Sequence, residues 1–97
     1  LRRTEYMIEY THRYTEQETR TLDEVNSAIT AGDTDRAARL LVDIPSSPEA
    51  DYARGAVAAL RQNYDEAEAW FRRAQARGVD AATDALRQLK KRDKPAD

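Results

Sequence analysis

The chain has 97 residues, 40% hydrophobic and 35% charged, with a formal net charge of -2 and a pI of about 5.4. That balance suits one small domain and gives no reason to expect nucleic acid or an anionic membrane surface as partner. No run approaches the roughly 20 apolar residues of a membrane span, no signal peptide is present, and the lack of cysteine excludes disulfides and thiolate metal sites without fixing a compartment. The chain opens at Leu1 rather than at an initiator Met, so it is expected to be a piece of a longer protein, with any targeting signal outside it.

Residues 1–20 differ in composition from the rest of the chain. Over residues 6–14 the even positions are Tyr, Ile, Tyr, His and Tyr, with Met, Glu, Thr and Arg between them. This alternation, rich in Tyr and Thr, fits a strand better than a helix. A helix reading survives, because Tyr6, Tyr10 and Tyr14 also recur at steps of four. A lone strand has no ladder partner within the chain. It would pair with a second copy, giving a homodimer through residues 1–15, or belong to a sheet upstream. The opening R-R-T-E-Y-M-I-E-Y resembles the closing strand of OmpA-like, peptidoglycan-binding envelope domains. The resemblance covers fewer than ten residues and implies a bacterial cell-envelope or periplasmic setting.

The domain proper is expected over residues 21–94, with residues 1–20 as the end of, or a linker from, an upstream domain. Thr21 and Glu24 have the spacing of a capping box with Thr21 as N-cap. The helix they open carries Leu22, Val25, Ala28 and Ile29 on one face and stops at Gly32, suited to a left-handed C-terminal cap. Asp33 or Thr34 then caps a second helix bearing Ala37, Leu40, Leu41 and Ile44, which Pro45 ends. Ser47 is placed as the N-cap of a third helix with Pro48 in its first turn. Along that helix Tyr52, Ala56, Ala59 and Leu60 recur at helical spacing around Gly55. A fourth repeats the pattern with Ala67, Trp70, Phe71 and Ala74, and between them Asn63 and Glu66 read as another capping box. Asp80 can cap a last helix with Ala81, Ala82, Ala85, Leu86 and Leu89 on its apolar side and a basic end.

Over residues 48–78 the sequence resembles a tetratricopeptide repeat: Gly55, Tyr64, Ala67, Phe71 and Ala74 fall on its signature positions, and Val79 stands where the motif usually carries proline. Gly55 and Ala67 are small where two helix axes approach, and Tyr64 and Phe71 fill the space they leave. Residues 21–45 resemble a second, degenerate copy, with Gly32 and Ala37 matching. The resemblance implies an all-α fold of two antiparallel helical hairpins plus a C-terminal capping helix. Such repeats are non-catalytic binding scaffolds whose partners are proteins or peptides.

Motifs for chemistry are absent. Glu9-x-x-His12 has the spacing of half a carboxylate-bridged metal site, but His12 is the only histidine and further ligands would be needed from other helices. No P-loop, dinucleotide turn, H-E-x-x-H or cysteine nucleophile occurs. Ser27, Ser46 and Ser47 lack a base nearby in sequence, and the run Asp65, Glu66, Glu68 reads as a first turn favoured by the helix dipole. Trp70 and Phe71 are both placed in the core. No catalytic residue, metal ligand or cofactor is therefore expected.

By position, the resemblance implies a groove lined by the first helix of each hairpin. Leu22, Asp23, Asn26 and Ile29 come from one, and Glu49, Tyr52, Ala53, Ala56, Ala59 and Leu60 from the other. This lining is unusually apolar. It would hold an apolar peptide or helix, or be covered by the N-terminal segment or an upstream domain. The family members that clamp a chaperone's C-terminal carboxylate use Lys and Asn on these helices; here only Asn26 matches, and Leu22 and Ala53 stand where polar or basic groups are needed. The functional expectation is a protein-interaction module at the C-terminal end of a larger bacterial protein, without nucleic acid and without membrane insertion. The alternative is a structural oligomerisation or spacer unit paired through its N-terminal strand.

Overall fold

The computed structural model describes residues 14–44 and 47–93, and over these the chain is all-α. Five helices succeed one another: α1 (Glu16–Ala31), α2 (Thr34–Val42), α3 (Pro48–Leu60), α4 (Tyr64–Ala76) and α5 (Asp80–Asp93). The strand expected over residues 1–15, and the Glu9/His12 pair within it, lie outside the described residues except for Tyr14 and Thr15.

The first helix starts earlier than its sequence suggests. Thr15, not Thr21, is the N-cap: its Oγ1 accepts from the Glu18 N–H at 3.1 Å, and the Glu18 carboxylate accepts from the Thr15 N–H at 2.9 Å. Two boxes of the same spacing lie six residues apart in the sequence, and nothing between them interrupts a helix. The upstream box wins because it adds hydrogen-bonded turns for one cap. Thr21 sits inside α1, its hydroxyl donating to the Gln17 carbonyl at 3.0 Å. Leu22, Val25, Ala28 and Ile29 form the buried face as expected. Gly32 ends the helix at φ 78°, a conformation glycine adopts without steric cost, and the Asp33 N–H closes the turn on the Ala28 carbonyl at 2.8 Å. Asp33 then caps α2 by accepting from the Arg36 N–H at 3.2 Å.

α3 is the centre of the molecule. Ser47 caps it, accepting from the Ala50 N–H at 3.2 Å, with Pro48 in the first turn. Every residue of the helix is buried except Arg54 and Leu60, which are half-buried. Its many alanines and Gly55 let neighbours approach closely, and α1, α2 and α4 all pack against it, enclosing even Glu49 and Asp51. The tightest packing is between α3 and α4. Phe71 is fully buried against Tyr52, ring centroids 5.4 Å apart and tilted by 43°. The three atoms nearest the site of a Cβ on Gly55 all belong to the Phe71 ring, so the small residue is answered by an aromatic face.

Two further expectations fail locally. The capping box at Asn63 and Glu66 does not form: Asn63 stands at the N-cap without a side-chain hydrogen bond, and α4 relies on Asp65 and Glu66 in its first turn to meet its dipole. Trp70 is not core. One residue on from the buried stripe of Ala67, Phe71 and Ala74, its ring is turned to the edge of α4 and is only half-buried. α5 packs on α4 through Ala82, Ala85 and Leu89.

Candidate functional site

Most of the residues expected to line a groove are buried. Leu22, Ile29, Tyr52 and Ala56 are buried side chains of the core, and Ala53 and Ala59 are buried with them. Asn26 and Leu60 are half-buried and Asp23 is exposed. Glu49 is buried too, and Tyr14 donates its hydroxyl hydrogen to Glu49 Oε2, tying the residue before the first cap to the start of α3. Burial, then this hydrogen bond, pushes the Tyr14 phenol up to about 12. The Asn26 Oδ1 is enclosed without a hydrogen-bond partner.

Open concavities lie elsewhere. One, of about 300 Å³, runs between α2 and α4 above α3, where Ala38, Leu41, Val57 and Ala58 form the floor and Val42, Arg54, Arg61 and Trp70 the sides. Val42, 80% exposed, is the one large hydrophobic side chain left in solvent among the described residues. Arg61 is fixed at its rim by Asp35 at 2.7 Å. A second cleft of about 300 Å³ lies between α4 and α5, bordered by Tyr64, Arg72, Leu86, Arg87 and Lys90. Gln75 bridges its two helices, donating to Thr83 Oγ1 at 2.9 Å.

Next to the first cleft the structure gathers charge. Asp51, on α3, is completely buried. Arg77 donates to its Oδ2 at 2.9 Å, while Arg73 Nε lies 3.7 Å from the same oxygen and Arg54 Nη1 3.6 Å from Oδ1. Arg54 also donates through Nη2 to the carbonyls of Leu41 (3.0 Å) and Ile44 (3.5 Å), closing the C-terminal end of α2. The guanidiniums of Arg54 and Arg73 both lie over the Trp70 ring, 5.4 and 5.5 Å from its centroid.

Neither this cluster nor the α2/α4 cleft appears among the residues the sequence points to. Faint signals exist: Arg54 is the only cation within α3, and Val42 falls beside the apolar stripe of α2. Which arginines converge on Asp51 depends on two helices meeting side by side. No group of His, Cys, Asp and Glu side chains able to hold a metal ion occurs among the described residues, and no helix there is long and apolar enough to cross a membrane. No family model, curated protein or solved structure matches this chain.

Proposed function

We propose that the chain is a non-catalytic protein-interaction module of tetratricopeptide type, built as two antiparallel helical hairpins closed by α5, and that it docks its partner in the cleft between α2 and α4. What supports the hairpin reading is connectivity: α1 and α2, and α3 and α4, are in contact and are joined by two or three residues, and so short a link favours antiparallel neighbours. What carries the docking reading is Val42. An apolar side chain 80% exposed beside a half-buried Trp70, at the mouth of a cleft with an apolar floor and a polar rim of Arg54, Arg61, Asn63 and Glu66, is the kind of surface that a partner covers. The partner is a peptide or helix of a protein, since the site holds apolar floor and arginine rim but no acid/base pair. It lies between the second helices of the two pairs, α2 and α4, on a floor completed by Val57 and Ala58 of α3.

A photo-crosslinking side chain placed at Val42, with one at Gln88 as the remote control, tests this. Partner adducts are expected at position 42, absent at 88, and lost when Trp70→Ala is added. Equal labelling at both positions, or labelling indifferent to Trp70→Ala, refutes the docking site. Light scattering on the same samples at micromolar concentration is expected to give a monomer.

A further inference from the structure

We infer that the arginines around Trp70 form a receptor for an oxyanion, a carboxylate or phosphate group carried by the partner. One buried carboxylate is met by three guanidiniums, and its one short hydrogen bond comes from Arg77. Arg73 and Arg54 stand at 3.7 and 3.6 Å, ion-pair contacts too long to be hydrogen bonds. Arg54 directs its other nitrogen to the end of α2. Arg73, its side chain 61% exposed, has no hydrogen-bond acceptor among the described residues. It is nevertheless held in place, between the Asp51 charge and the Trp70 ring. A guanidinium is a planar fork of donors matched to two oxygens of one anion, and holding it still in advance lowers the ordering cost of binding. Arg73 does not complete the hydrogen bonding of Asp51: Oδ1 stays buried without a partner, and the Arg73 contact is with the other oxygen. An oxyanion arriving from solvent would meet its outer donors with Arg54 and Arg77 beside it.

This deepens the docking reading by naming the chemistry of one partner group, and it can be tested without any protein partner. Trp70 is the only tryptophan and lies under two of the arginines, so its fluorescence reports the cluster directly. Sodium phosphate and sodium acetate are titrated separately into the protein at ionic strength held constant with sodium chloride. A saturable change in emission with at least one of them is expected. Tighter binding of phosphate assigns the site to a phosphorylated group, tighter binding of acetate to a carboxylate. Arg73→Gln should weaken the response about tenfold, the loss of roughly one charge-assisted hydrogen bond. Arg72→Gln, whose guanidinium is engaged by Glu68 on the exposed face, should leave it within about twofold of wild type. Arg73 is exposed, so its variant is expected to fold, and circular dichroism checks that. Emission that only drifts linearly with both anions, or an Arg73→Gln protein that titrates as wild type, overturns the inference. Failure of the crosslinking at Val42 with saturable anion binding intact would refute the docking cleft and leave this site standing.

Discussion

Replacing Gly55 by alanine adds one methyl at the closest approach of α3 and α4. Its Cβ would sit 2.6 Å from both Cδ1 and Cε1 of Phe71 and 3.1 Å from Cγ. Carbon atoms are comfortable at about 3.5–4.0 Å, so about 1 Å must be recovered. Phe71 cannot yield it by swinging away, because the ring is fully buried and backed by Tyr52. The helices must separate, which loosens the contact that organises the core. Overpacking of this kind costs about 1–3 kcal/mol. Against it stands the gain of about 0.5–1 kcal/mol from alanine over glycine within a helix. The expected net is a destabilisation of about 1–2 kcal/mol, or a Tm lower by roughly 5–10 °C for a domain of this length. Thermal and urea unfolding followed by circular dichroism measure it, and Phe71→Leu supplies the second arm of a double-mutant cycle. With the ring removed the added methyl has room, so Gly55→Ala should be much less harmful in that background. A Tm that stays put or rises, or a cost unchanged by Phe71→Leu, refutes the close-contact reasoning.

Core packing, capping and the Tyr14 bond each carry a further expected outcome. Ala67→Leu places a larger side chain at a fully buried position of α4 and should cost about 1–3 kcal/mol in urea unfolding. Ser47→Ala removes the hydroxyl that accepts from the Ala50 N–H and should cost about 1 kcal/mol in the same assay, with Ser47→Asp retaining most of the stability. Tyr14, pushed up to about 12 by burial and by its bond to Glu49, keeps its proton more firmly folded than unfolded. Its contribution is therefore complete below pH about 10, the ordinary tyrosine value, and disappears as pH rises through about 12. Absorbance titration should show a tyrosine ionising near pH 12, and Tyr14→Phe should remove that step and flatten the fall of stability over the same window.

Much of the helical skeleton was legible because its signals are local. Gly32 supplies the one backbone conformation that other residues resist, Ser47 with Pro48 marks a helix start on chemistry alone, and the buried faces of α1 and α4 obey the 3.6-residue period. Where a signal was duplicated, as in the two capping boxes near residues 15 and 21, local rules gave no way to choose, and helix length did. The putting-together of sites was not local at all. The apolar first-helix positions look like a groove when α1 and α3 are considered singly. Most of them are buried in the core, with α1, α2 and α4 all packed on α3.

What the amino-acid order determined unaided is that five helices form, where most of them end and which face of α1 and α4 is apolar, since capping and periodicity act within a few residues. Only the packing of α3 against its neighbours decided which apolar side chains are interior and which stay in solvent. It turned Trp70 outward, left Val42 in solvent, and drew arginines from α3, α4 and the turn after α4 onto one buried carboxylate. The reason is physical: capping is settled by groups three or four residues apart, whereas burial and charge clustering are properties of surfaces that meet only after the chain has folded back.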